Sequence, residues 1–124
     1  MKRDFTYVDD VVEAIFKCCK KPAQSNPKFN KLDPDPSTSD AKFRILNLGN
    51  SNSIKLMNFI NCLEKEIGLE AKKEFLPAQQ GDIEETVANT QRLNQWIDFT
   101  PQTSLNEGIK YFVEWFKDYY NYNY

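Results

Sequence analysis

The chain has 124 residues, enough for one domain with a modest core. Apolar residues make up 40% and aromatics 14%, which excludes a disordered chain, and sixteen basic against eighteen acidic residues leave a net charge of −2. That balance gives no footprint for nucleic acid or a membrane surface, and no apolar run approaches the roughly 20 residues of a membrane span.

The elements follow in chain order. Residues 3–8 alternate as a short strand, with Phe5, Thr6, Tyr7 and Val8 of strand-favouring type. Asp9 or Asp10 is expected to cap a helix running to about Lys21, with Val12, Ile15, Phe16 and Cys19 as its apolar stripe. Pro22 stops it. Residues 22–41 form a loop punctuated by Pro22, Pro27, Pro34 and Pro36, long for a compact domain. Two readings stand for it: a lid or a surface insertion.

Residues 43–49 read as a strand ending at Gly49, followed by the polar turn Asn50–Ser53. Ser53 is expected to cap a helix from Ile54 to Ile67, with a stripe of Leu56, Phe59, Ile60, Leu63 and Ile67. Gly68 ends it where a left-handed residue is required. Ala71–Leu76 reads as a further strand with Phe75 and Leu76 inward, and Pro77–Glu85 as a loop. Thr90 is expected to cap a short helix carrying Leu93, Trp96 and Ile97 on one face. Ser104 and Glu107 form a capping box for the last helix, striped by Leu105, Ile109, Phe112, Phe116 and Tyr120. The tyrosine- and asparagine-rich end, 119–124, is expected to fray. The alternation makes this an α/β chain: a small, few-stranded sheet with about four helices.

The chemistry is limited by what is missing. With no histidine, Ser-His-Asp and Cys-His machinery is excluded, and most transition-metal sites with it. Cys18, Cys19 and Cys62 lack zinc-ligand spacing and read as reduced thiols on helix faces; no metal site is expected. The turn at Gly49 has one glycine where a dinucleotide fingerprint needs three, so it reads as an ordinary strand-to-helix turn. Asp9 and Asp10 are neighbours and point in different directions, which suits capping better than acid–base work. Arg3 is either a surface charge or a fork for a phosphate. Asp82 is a turn acceptor or a ribose ligand, and Gln79 could donate to a phosphate. None of the six tyrosines has a lysine four residues later, the pair that would generate a phenolate base.

Four stretches stand in order: Arg3–Asp10, Ile45–Ser51 (ILNLGNS), Leu76–Glu85 (LPAQQGDIEE) and Pro101–Trp115 (PQTSLNEGIKYFVEW). Together they resemble the C-terminal part of NAD-dependent nucleotide-sugar epimerases of the extended short-chain dehydrogenase/reductase family, the UDP-glucuronate 4-epimerase type above all. The first lies well past the middle of those proteins, so the resemblance implies a single domain over 1–124: the substrate lobe of an extended Rossmann-type epimerase, without its NAD-binding Rossmann domain. Catalytic residues are then expected outside this chain, and NAD in the parent enzyme but not here.

The resemblance further implies that Arg3 binds the UDP diphosphate and that Phe5 lies near the nucleotide. Gln79 falls at a diphosphate position, and Asp82 at the carboxylate that holds the ribose. Asn50 and Ser51 fall in a turn beside the nucleotide. Gln80 replaces a frequent proline of the pattern QPGD, which is expected to loosen that turn. The implied reaction of a whole enzyme is transient oxidation at the sugar C4 by NAD⁺, rotation of the keto-sugar and return of hydride to its other face. The expectation for this chain is UDP-sugar binding without turnover, in a cytoplasmic protein. Apolar stripes on the first and last helices, meant for a sheet it lacks, imply a homo-oligomer. The alternatives are a stand-alone binding or oligomerisation module, or the tail of a nucleotide-sugar dehydratase or decarboxylase.

Overall fold

The computed structural model describes residues 1–77 and 79–122. Among them run strand β1 (Lys2–Asp4), helix α1 (Val8–Lys20), strand β2 (Ser53–Lys55) and helices α2 (Leu56–Ile67), α3 (Gln91–Ile97) and α4 (Leu105–Tyr120). β1 and β2 pair antiparallel with Arg3 opposite Ile54. On its other edge β1 takes up the 84–86 segment: the Lys2 amide donates to Glu84 O (2.7 Å), and the Thr86 amide to Lys2 O (3.3 Å).

Apolar burial is divided between two small clusters. Ala14 of α1 meets Leu93 and Ile97 of α3, with Leu46, Leu48 and Phe99 against them. Ile109 and Val113 of α4 are buried beside α2. The capping box closes as expected: Ser104 Oγ accepts from the Glu107 amide (3.3 Å), and Glu107 Oε2 from the Ser104 amide (3.1 Å). Gly68 ends α2 at φ 85°, where a Cβ is costly. Helix α4 closes at Asn121 with φ 53°; the expected fraying of 119–124 falls partly on Asn123 and Tyr124, outside the described residues.

Several expectations are corrected. The first strand stops at Asp4, because β2 is only three residues long and offers no partner beyond Ser53. β2 replaces the expected first turn of the second helix, so Ser53 pairs with Asp4 instead of capping, and the N-cap is Lys55. Neither Asp9 nor Asp10 caps α1, which starts earlier with Tyr7 as N-cap. Asp10 instead accepts from the Thr103 amide at 3.0 Å, tying α1 to the approach of α4. Thr90 holds the N-cap position of α3, but its hydroxyl is bonded to Ser51 Oγ (2.8 Å).

Residues 43–49 are not a strand. Leu46 and Leu48 do turn inward, but the backbone forms no ladder: it has an isolated bridge from Arg44 to Thr38, a bond from the Ile45 amide to Ser37 O and a local one from the Phe43 amide to Ala41 O. A strand needs a partner along its length, and none is present among the described residues. Residues 71–76 are not a strand either. Phe75 and Leu76 are 77% and 71% exposed, and Glu64 holds the segment by accepting from the Ala71 amide and Lys73 Nζ. The Lys73 bond, with help from the Ala71 amide, keeps the Glu64 carboxyl below its ordinary range.

The expected stripe of α1 faces outward: Val12, Ile15 and Phe16 are each more than half exposed, and Cys19 is exposed. Ala14 and Cys18 form the packed side. The long loop is bonded to itself through Asn26 and clasped to α3, where Arg92 pairs with Asp35 and Ser37 and the Arg44 guanidinium lies 3.9 Å over the Trp96 ring. Those bonds fit a surface segment better than a lid.

Candidate functional site

The approach to the site is set by β1. A strand three residues long brings few hydrogen bonds of its own, so its side chains and the 84–86 segment hold it in place. Arg3 Nη1 donates to Lys2 O (2.8 Å) and to Ile83 O (2.7 Å). The guanidinium is thereby anchored one residue beyond Asp82. Lys2 reaches Glu85 at 3.4 Å, and the Glu85 carboxyl, beside the Ser53 hydroxyl and the Lys2 ammonium, sits below its ordinary range.

Residues 79–82 form a tight turn. The Asp82 amide donates to Gln79 O (3.1 Å), the Gln79 amide to Asp82 Oδ2 (3.3 Å), and Gly81 takes φ 97°. A glycine at positive φ in the third position is the pattern of a type II turn, whose second position favours proline. Gln80 occupies that second position. Arg3 lies beside the exit of this turn, on the carbonyl of the residue that follows it.

The other expected residues have different partners. The Phe5 ring stacks on Phe59 of α2, centroids 4.3 Å apart and planes 19° from parallel. It borders an apolar cavity of about 270 Å³ shared with Tyr7, Leu105, Gly108 and Phe112. Asn50 donates from its side chain to Thr103 O (3.4 Å). Ser51, at φ 55°, donates from Oγ to Ala88 O (2.9 Å) and shares a hydrogen with Thr90.

The residue that organises this region is Asp4, which sequence reasoning passed over. Its carboxylate accepts four backbone amides: Asn50 (3.0 Å), Ser51 (3.0 Å), Asn52 (3.4 Å) and Ala88 (2.9 Å). The one available signal is an aspartate inside a strand, where that residue is depleted. Gly49 is the complement of this arrangement. A Cβ there would lie 2.5 Å from Ala88 Cβ and 2.8 Å from Asp4 Oδ2. The glycine allows close packing, and the amides beyond it already hold a carboxylate, so they do not fit the pyrophosphate of a dinucleotide. Among the described residues no three metal-capable side chains converge, and no helix is long and apolar enough to cross a membrane.

No protein-family model matches the chain. Individual proteins do. It is 45% identical over 120 residues to Protein CapI of Staphylococcus aureus, covering 97% of this chain and 36% of that one. It is 37% identical over 124 residues to a probable UDP-glucuronate 4-epimerase of Rhizobium meliloti (strain 1021), again with 36% of the relative covered. The UDP-glucuronate 4-epimerase 1 of Arabidopsis thaliana is 32% identical, with 28% of its length covered. The chain thus spans about a third of the length of the curated relatives it matches. Among solved structures, the UDP-glucuronic acid 4-epimerase of Bacillus cereus in complex with NAD superposes on 99% of this chain with a TM-score of 0.68, at 21% identity and 32% of its own length. The UDP-glucose 4-epimerase of Bifidobacterium longum, in complex with NAD⁺ and UDP, gives a TM-score of 0.71 over 95% of this chain, at 15% identity and 30% of its own length. These two speak for the fold: α/β, four helices and a two-stranded sheet, as in the C-terminal part of Rossmann-type epimerases. In sequence and in fold, the chain corresponds to the C-terminal portion of nucleotide-sugar epimerases of the UDP-glucuronate 4-epimerase type.

Proposed function

We propose that this chain forms, as one domain, the UDP-sugar-binding part of a NAD-dependent, cytoplasmic UDP-sugar epimerase, with NAD and the hydride chemistry handled by residues outside these 124. The carrying observation is the contact of Arg3 with Ile83 O, which sets a phosphate-gripping fork beside the Gln79–Asp82 turn. In this reading Arg3 and Gln79 take the diphosphate, Asp82 takes the ribose hydroxyls, and Phe5 and the Asn50–Ser51 turn border the nucleotide. Two carbonyl bonds already orient the guanidinium, which lowers the ordering cost of gripping a ligand.

Titration of the chain with UDP, followed residue by residue by NMR, tests this. The expected result is weak binding, Kd on the order of 1 mM, with shifts at Arg3 and across Gln79–Ile83 that vanish in Arg3→Ala. Shifts confined to other surfaces, or equal binding by Arg3→Ala and Asp82→Ala, refute it.

A second reading, that the chain works as a binding or oligomerisation module, is favoured by the exposed face of α1. Val12, Ile15 and Phe16 form a contiguous apolar strip at helical spacing, and such strips on soluble domains are covered in the working assembly. In this reading two copies associate through that strip.

A further inference from the structure

We propose that Asp4 is the positioning residue of this region: a built-in anion that gathers the Asn50–Asn52 turn and the Thr86–Ala88 segment onto β1, and so holds Arg3 and the Asp82 turn in register. The geometry stands on its own; only its link to a UDP ligand rests on the function proposed above.

Consecutive backbone amides at a turn, one residue of it left-handed, make an anion-binding nest. Here Ser51 is the left-handed residue, and the anion is the protein's own. Oδ1 of Asp4 takes the Asn50 and Asn52 amides, and Oδ2 the Ser51 and Ala88 amides. Charge-assisted bonds of this kind are about twice as strong as neutral ones. Three stretches that are distant in sequence meet on one side chain, and the Asp4 amide adds a bond to Thr86 Oγ1 (3.4 Å). A Cβ at residue 49 would lie 2.8 Å from Asp4 Oδ2, so the glycine is what leaves the carboxylate its place against the turn.

Two consequences follow. The nest is filled, so a ligand phosphate is directed away from the Gly49 turn and toward Arg3, the neighbouring residue. And the 84–86 segment, which β1 holds through Lys2 on one side and Asp4 through Thr86 on the other, leads directly out of the Asp82 turn. Loss of the Asp4 carboxylate therefore releases the nest and lets the Asp82 turn drift from Arg3.

The test uses Asp4→Ala and Asp4→Asn in the full chain, with amide hydrogen exchange measured by NMR, with and without sodium formate, and UDP titration alongside. In Asp4→Ala the Asn50, Ser51 and Ala88 amides are expected to exchange at least about tenfold faster, with acceleration spreading to Ile83–Thr86 while α4 is unchanged. Formate, a small carboxylate, restores protection at the nest, a response that loss of general packing does not give. Asp4→Asn keeps one acceptor oxygen and falls between; it carries the test where Asp4→Ala does not fold. Unchanged exchange at Asn50, Ser51 and Ala88 overturns the proposal, as does acceleration that stops at those amides and never reaches Ile83–Thr86. Where the parent chain binds UDP, unchanged affinity in Asp4→Ala also overturns it. Where the parent chain binds no UDP, the proposed ligand fails and exchange alone decides the role of Asp4.

Discussion

Gly49→Ala is the sharpest perturbation this structure offers. The added methyl would lie 2.5 Å from Ala88 Cβ, while carbon atoms rest at about 3.5–4.0 Å, so the 49–52 turn and the 86–88 segment must part by about 1 Å. Overpacking of that size costs about 1–3 kcal/mol. The same methyl stands 2.8 Å from Asp4 Oδ2, the atom that accepts from Ala88, and a charged hydrogen bond weakened there adds roughly 1 kcal/mol after allowance for partial exposure. The sum is roughly 2–4 kcal/mol. At about 4 °C per kcal/mol for a chain of this size, Tm falls by about 8–16 °C.

Gly68→Ala is the internal control. Its space is empty, so only the left-handed backbone is penalised, by about 1–2 kcal/mol. Thermal unfolding followed by tryptophan fluorescence and circular dichroism separates the two. The double variant Gly49→Ala with Ala88→Gly moves the methyl to the other side of the contact and is expected to recover about 1 kcal/mol. A Gly49→Ala protein that melts within about 2 °C of the parent, or a double variant with no recovery, refutes the close-packing account.

Three further outcomes are expected. Gln80→Pro supplies the residue a type II turn prefers and should stabilise the chain by about 0.4–1 kcal/mol, read by urea denaturation; destabilisation would mean the Gln79–Asp82 turn is misassigned. Ser104→Ala removes the capping box and should cost about 1 kcal/mol at neutral pH. The Ser104 hydroxyl, then its amide, hold the Glu107 carboxyl below its ordinary range, so this contribution is complete above the unfolded glutamate value of about 4.3 and is lost as pH falls through the lower folded value. The gap between Ser104→Ala and the parent should accordingly narrow in acid, and a gap that stays constant from neutral pH to pH 3 counts against the carboxylate's part. Phe16→Asp places a charge in the exposed strip of α1, and light scattering should show self-association giving way to a monomer. A parent chain that is monomeric at all concentrations removes the oligomer reading.

Local signals carried the helices. The 3.6-residue spacing in 54–67 and 104–120, the Ser104–Glu107 box and the glycine at 68 each act within a turn or two of chain; the box and Gly68 are found as expected, α2 starts two residues later at Leu56, and in α4 Ile109 is buried while Phe112 and Tyr120 of the expected stripe stay exposed. The order of four motifs likewise identified the C-terminal epimerase portion that the comparisons support. Of the expected site residues, Arg3 bonds to the carbonyl that follows the Gln79–Asp82 turn, Phe5 stacks on Phe59, and Asn50 and Ser51 bond to Thr103, Thr90 and Asp4; these partners are mostly distant in sequence and were not legible in it.

What the residues alone could not decide was partnership at long range. Residues 43–49 and 71–76 have strand-like composition, but a strand exists only where another backbone lies alongside, and composition does not name that partner. Ser53–Lys55 reads as a helix start until Lys2–Asp4 pairs with it. The same holds for the α1 stripe, whose spacing is set by the helix but whose burial depends on what packs against it. Asp4 is the plainest case. An aspartate inside a strand is unusual enough to notice, but nothing around it names its partners, because the four amides it holds lie 46 to 84 residues away and converge only in the folded chain.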